Sequence, residues 1–369
     1  MIKGLYIHIP FCDQICTYCD FCKMVTSDHT KKEYMKALVK ELEYYSDLVS
    51  HIETIYIGGG TPSSLDDDLI EAFLDELETI VDMNSIKEFT IETNPNDITE
   101  KFLTMLKTHH ITRVSMGVQS LNENLLNFLG RTHKPETVFH AIELLKKSKL
   151  NFNLDFLYAI PGQTKENLLK DLNFISEFKP HHISYYSLIL EDKTVLNYLI
   201  NKHKVDDFDD DKARDFGEII DEKLKSFDYE KYEISNYSLP GYKSKHNLLY
   251  WNLDEYLGIG LNASSQFNHI RMINPKKISK YLKEIEDKSL TMHQLEDFNP
   301  QLETLLVGLR KTEGIDLDAY KAKFNQDVFT IYPELKKHLE NKLLKIEEGR
   351  LKFTKEGMYL SNQVFVDII

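Results

Sequence analysis

Gly4-Leu5-Tyr6-Ile7-His8-Ile9-Pro10-Phe11-Cys12-Asp13-Gln14-Ile15-Cys16-Thr17-Tyr18-Cys19-Asp20-Phe21-Cys22 stands at the start of the sequence. Residues 5–9 form an apolar strand candidate, and a cysteine cluster follows it at once. Five more strand candidates lie at 54–57, 88–93, 113–118, 153–158 and 182–189. Amphipathic stretches at 31–45, 69–81, 100–107, 122–129, 135–147 and 165–177 separate them. Strands alternating with helices make parallel βαβ units. Six such units predict an α/β fold, a partial (β/α)6 TIM-like barrel, whose chemistry belongs at the C-terminal strand ends.

The informative residues fall at those ends. Cys12 follows the first strand, and Gly58-Gly59-Gly60-Thr61-Pro62 follows the second. Glu92 ends the third, Gln119 ends the fourth, and Asp155 lies within the fifth. Three consecutive glycines give a backbone that can approach a ligand closely. Asp155 sits in an otherwise apolar strand, where an ionised group needs a partner or a ligand.

All 4 cysteines lie between Cys12 and Cys22. Four thiols this close are ligands before they are disulfides. Cys12, Cys16 and Cys19 have C-x3-C-x2-C spacing, and thiolates suit zinc or iron–sulfur clusters. Structural zinc needs four closed ligands, with Cys22 or His8 completing the set. Three cysteines on a [4Fe–4S] cluster would leave one iron open to a substrate. The residue types alone leave both readings standing.

Tyr6-Ile7-His8-Ile9-Pro10-Phe11-Cys12 through Cys19-Asp20-Phe21, with the later Gly-Gly-Gly-Thr-Pro, resembles the radical S-adenosylmethionine (SAM) superfamily. Within it the chain is similar to the oxygen-independent coproporphyrinogen III oxidase family. The resemblance implies that Cys12, Cys16 and Cys19 hold three irons of a [4Fe–4S] cluster, with SAM on the fourth. It implies that Tyr6, Gly59 and Glu92 contact one SAM. Gly60, Thr61, Gln119, Arg131 and Asp155 match a second SAM site, and Ile189 and Ser264 fall at two further contact positions. Arg131, in Leu129-Gly130-Arg131, could pair a carboxylate bidentately; alone it would read as a surface ion pair. Cys22 is a spare thiol in this reading.

The family has an oxidase branch, which decarboxylates coproporphyrinogen III propionates to vinyls, and a haem chaperone (HemW-like) branch. Three features resemble the chaperones. Only five residues precede Tyr6, where the oxidases carry an extension. Cys19-Asp20-Phe21 replaces their Cys-x-Cys. His246-Asn247-Leu248-Leu249-Tyr250-Trp251 matches the haem-associated H-N-x-x-Y-W element. His246 and Tyr250, four apart, would share a helix face as haem-ligand candidates; the plainer alternative is a packed aromatic turn. Leu261-Asn262-Ala263-Ser264-Ser265 lacks the histidine that this branch usually has there. The resemblance thus implies a haem chaperone binding a cluster, SAM and haem, served by an electron donor and haem-accepting proteins. Coproporphyrinogen oxidase is the alternative.

Gly258-Ile259-Gly260-Leu261-Asn262-Ala263 fits G-x-G-x-x-A, but residues 251–256 before it do not read as a buried parallel strand, so a dinucleotide fold is rejected. Residues 301–369 read as helix, helix, a hairpin turning near Gly349, and one last helix over 355–366. This resembles a small winged-helix module. It carries 11 Lys/Arg against 11 Asp/Glu, a poor balance for reading DNA. The expected division is 1–285, with the barrel core at about 1–235, and 286–369.

The length of 369 residues suits about two domains. A net charge of −14 makes nucleic acid an improbable main partner. No stretch has the ~20 apolar residues of a membrane span, and the first residues lack a signal peptide's apolar segment. A cytoplasmic protein is expected, with a homodimer left open. Five Asp in residues 206–211 read as a solvated helix start.

Overall fold

The computed structural model describes residues 1–289, 293–294 and 298–369. One twelve-stranded sheet dominates it: β1 Gly4–Ile9, β2 Thr54–Gly59, β3 Glu88–Thr93, β4 Arg113–Gln119, β5 Asn151–Tyr158, β6 His182–Ser187, β7 Glu230–Lys231, β8 Asn236–Ser238, β9 Tyr256–Ile259, β10 Ser264–Phe267, β11 Ile270–Ile273 and β12 His293–Gln294. Its spatial order is β12-β11-β10-β9-β1-β2-β3-β4-β5-β6-β8-β7. The run from β9 through β6 is parallel throughout, and antiparallel strands close both edges.

All six expected strands form, and a seventh parallel strand joins them. Residues 256–259 pair in parallel with β1, from Gly4↔Tyr256 to Ile7↔Ile259. The expectation that no buried parallel strand leads into the G-x-G-x-x-A stretch is therefore corrected. The first glycine lies inside that strand, and a turn and β10 follow instead of a helix, so the dinucleotide fold stays rejected. Gly258 is required by packing: a Cβ there would lie 2.1 Å from the Ser264 carbonyl oxygen.

Side-chain alternation divides the sheet into two faces. Leu5, Ile7, Ile9, Ile57, Ile91, Val114, Met116, Leu154, Phe156 and Ile183 are buried in the main apolar cluster. The intervening positions, Glu92, Ser115, Gln119, Asn153, Asp155, His182 and Ser184, line one cavity. The parallel strands thus curl around a polar lumen, as a partial barrel does.

A separate apolar cluster runs from Leu305 to Ile368. Its antiparallel sheet has Ile315–Asp316 beside Arg350–Phe353 beside Leu344–Glu347, and the hairpin turns at Gly349 with φ 74°. The expected last helix is two, Lys355–Tyr359 and Ser361–Ile368, and the helices Leu317–Phe324 and Val328–Ile331 were not foreseen. Arg271 pairs bidentately with Glu303 across to this unit (3.0 and 2.8 Å), and Arg310 lies 4.5 Å from the Trp251 ring centre. The acidic run is a helix start: Asp209 caps Asp210–Ser226, accepting from the Lys212 amide. No helix among the described residues is long and apolar enough to cross a membrane.

Candidate functional site

Two cavities share one wall. The first, about 500 Å³, lies in the lumen, lined by Cys12, Cys16, Cys19, Gly60, Thr61, Gln119, Arg131, Asp155 and Ile189. The second, about 530 Å³, is lined by Tyr6, Cys22, Tyr250, Trp251, Tyr256, Ser264 and Gln266. Gly59 and Glu92 border both. Residues expected around the first SAM, Tyr6, Gly59 and Glu92, thus meet at the second cavity, where Ser264, one of the two further contact positions, joins them. Those expected around the other SAM meet in the lumen.

Glu92 is the pivot of the wall. Tyr56 O–H donates to its Oε1 (2.7 Å), and the Gly59 N–H donates to its Oε2 (3.0 Å). Desolvation pushes the carboxyl up to about 7, which the hydrogen bonds only partly offset. The three glycines permit this approach. A Cβ on Gly58 would sit 2.9 Å from the Glu92 carboxyl carbon, and Gly59 has φ 121°. A Cβ on Gly60 would meet the Phe11 carbonyl oxygen at 2.6 Å. The glycines are thus demanded first by the protein's own packing.

His8 donates from Nε2 to the Cys22 carbonyl (2.8 Å), which leaves Nδ1 to accept from the Tyr6 hydroxyl (2.9 Å). This pins the end of the cysteine loop. Cys12 Sγ lies 3.8 Å from Thr61 Oγ1, and Cys16 Sγ lies 3.7 Å from Arg131 Nη1. Burial pushes the Cys12 thiol up to about 11. Arg131 Nη2 donates to Asn94 Oδ1 (2.6 Å) and the Gly117 carbonyl (2.8 Å). Arg131 is therefore no surface ion pair; it reaches in from behind the cysteine loop.

Gln119 has φ 65°, at an irregularity in the β4–β5 register. Such a bulge re-aims a side chain, and its strain marks a functional position. Its amide is 8% exposed and finds no hydrogen-bond partner among the described residues. Arg131 Nε and Thr90 Oγ1 are fully buried and also unpaired. Unpaired donors on a cavity wall fit a polar ligand, which is what the expected SAM and cluster require of this lumen. Asp155 accepts from Asn153 Nδ2 (2.7 Å) and Ser115 Oγ (3.0 Å). Sequence reading missed Asn153, Ser115 and Tyr56, although Asn153 is two places before Asp155 and so on its face.

His246 and Tyr250 do share a face, on the helix Lys245–Trp251. Glu88, paired with Arg113 at 3.1 Å, accepts from the Lys245 and His246 amides (3.1 and 3.0 Å) and seats this helix below the lumen. His246 is 0% exposed. Its Nδ1 bonds Thr54 Oγ1 and its Nε2 bonds Tyr250 Oη, each at 2.8 Å. Burial drives its pKa down to about 3, so it is a neutral ring with both nitrogens engaged. The expectation of His246 as first haem ligand meets no open ring nitrogen here. Tyr250 and Trp251 are the residues of that element that reach the second cavity.

Residues 6–175 match the radical SAM superfamily model, and residues 301–360 the HemN C-terminal domain model. Heme chaperone HemW of Lactococcus lactis subsp. lactis is 37% identical over 366 residues, 98% of this chain and 96% of that one. Heme chaperone HemW of Bacillus subtilis is 33% identical, covering 99% of this chain and 98% of its own length. Coproporphyrinogen III oxidase (HemN) from Escherichia coli, a radical SAM enzyme, has the same fold: TM-score 0.83 over 100% of this chain and 90% of that one, at 20% identity. The chain belongs to the radical SAM superfamily and, within it, to the HemW branch of the oxygen-independent coproporphyrinogen III oxidase family.

Proposed function

We propose that this chain is a haem chaperone on a radical SAM scaffold, holding a [4Fe–4S] cluster, SAM and haem and passing haem to haemoproteins. The observation that carries the reading is the placement of Tyr250 and Trp251, from the haem-associated element, on the same cavity as Tyr6 and Glu92. Cys12, Cys16 and Cys19 would hold the cluster from the lumen side. When bound, the cluster and SAM supply one-electron reductive chemistry at the sulfonium; an electron donor is therefore a required partner.

The chain's own residues bind and orient. Glu92 offers a carboxylate to the ammonium of the first SAM, and Gly59 keeps that carboxylate in place. Tyr6, fixed by His8, walls the site. Arg131 and Gln119 present donors to an anionic or polar group in the lumen. Trp251 supplies a flat apolar face for a porphyrin.

The ionisation of Glu92 gives a test of the SAM placement. Alone, the carboxyl titrates at about 7; beside an ammonium, the charged form is favoured and the pKa falls. SAM binding should therefore release a fraction of a proton near pH 7, and far less at about pH 9, where Glu92 is already ionised. Calorimetry in two buffers of different ionisation heat reads this. Glu92→Gln should abolish the release, and wild-type binding without proton release would refute the contact.

The function is tested on anaerobically reconstituted protein by haem titration of the Soret band, followed by coproporphyrinogen III, SAM and a reductant. Haem binding, weakened about tenfold by Trp251→Ala and without vinyl product, is expected. A divinyl product without haem binding would establish the oxidase instead. His246→Ala is interpreted beside its unfolding midpoint, because the ring is a packed part of the barrel floor.

A further inference from the structure

Each cavity contains one glutamine amide that the protein does not pair. Gln119 is that group in the lumen. Gln266 is its counterpart in the second cavity: it lines the wall, is 6% exposed, and has no side-chain hydrogen-bond partner among the described residues. Asn262 Oδ1 and Trp251 Nε1 are the buried atoms without a partner on this cavity wall; the Gln266 amide is open to the cavity itself, so its donor and its acceptor are both available to a ligand.

β10 sets the direction of this side chain. Ser264 and Gln266 share one face of the strand. Ser265 points to the other, its hydroxyl accepting from the Gly258 amide at 2.8 Å. Across the sheet Gln266 is paired with Tyr256 on one side and Arg271 on the other. The Arg271 guanidinium is already closed by Glu303, so the strip offers no free cation to a phosphate or carboxylate. It offers a neutral donor and acceptor side by side, next to aromatic surface from Tyr6, Tyr256 and Trp251.

That combination suits a flat heteroaromatic ring with an amino group beside a ring nitrogen. A carboxamide pairs with the N6 amino group and N7 of adenine, and aromatic walls accept the purine face. We propose that Gln266 reads the N6/N7 edge of the adenine of the SAM held at Tyr6, Gly59 and Glu92. The inference rests on that SAM placement, and Gln266 is the residue that would make the site select adenine.

The test is equilibrium dialysis of SAM and of its 6-oxo (inosine) counterpart against anaerobically reconstituted protein, wild type and Gln266→Met. The 6-oxo ring presents two acceptors on that edge, so the amide satisfies only one. Wild type should bind the 6-oxo compound about tenfold more weakly than SAM. Gln266→Met, close in volume, should bind SAM about tenfold more weakly than wild type does, and prefer it over the 6-oxo compound by no more than about twofold. Equal binding of both compounds by wild type, or an unchanged preference in Gln266→Met, overturns the inference and leaves the SAM site standing. Wild type that binds neither compound overturns the SAM placement and this inference together.

Discussion

Anaerobic reconstitution of Cys12→Ala, Cys16→Ala and Cys19→Ala is expected to yield protein with less than about a tenth of the wild-type iron and sulfide, because two thiolates cannot retain a [4Fe–4S] cluster. Cys22→Ala should take up the wild-type amount. The distinction is structural. The first three cysteines line the lumen, whereas Cys22 lines the adjoining cavity and not the lumen. The His8 bond to the Cys22 carbonyl holds that division in place. Loss of iron in Cys22→Ala would instead make Cys22 a fourth ligand and close the iron that SAM needs. Uptake of one zinc with no sulfide by wild type would restore the zinc-stapled barrel. Iron and sulfide assays with electron paramagnetic resonance of the reduced protein separate these outcomes.

The parallel barrel was legible because its strands bury one full face and so read as apolar runs of four to eight residues. β9 was not, since Gly258 interrupts its apolar run and its identity as a strand comes from pairing with β1 about 250 residues away in sequence. The cysteine spacing and the Gly58–Gly60 run were legible as features of the C-terminal strand ends, although Gly58 and Gly59 prove to close β2 itself. Their division between two cavities was not, because it depends on which way Tyr6, Cys22 and Ser264 project from elements distant in sequence. The i, i+4 spacing placed His246 and Tyr250 on one helix face, as found. What that face meets was hidden: Thr54 and the Glu88–Arg113 pair decide that His246 is sealed inside. Gln266 carried no signal in the sequence, being one polar residue in a short strand without a motif. Only its unpaired amide on the cavity wall, between Tyr256 and Arg271, distinguishes it.

Saturating SAM is expected to weaken haem binding strongly, because the same walls are assigned to both. Tyr6, Glu92 and Ser264 would contact SAM, and Tyr250 and Trp251 would contact haem, yet all five line one cavity of about 530 Å³. Two ligands that cannot occupy a site together reduce each other's apparent affinity by one plus the ratio of concentration to Kd. At a hundred times its Kd, SAM should thus raise the apparent haem Kd about 100-fold, and haem at a hundred times its own Kd must raise the apparent SAM Kd by the same factor. S-adenosylhomocysteine, which lacks the sulfonium methyl, is the second competitor to test, since it excludes any contribution from SAM cleavage. Soret titrations with and without each competitor give the factor directly. A haem Kd unmoved by saturating SAM would place haem elsewhere on the molecule, and would leave Trp251 as a wall of the SAM site alone. A shift of the predicted size, reduced in step with SAM affinity in Glu92→Gln, would make SAM occupancy a control on when the chaperone can hold its cargo.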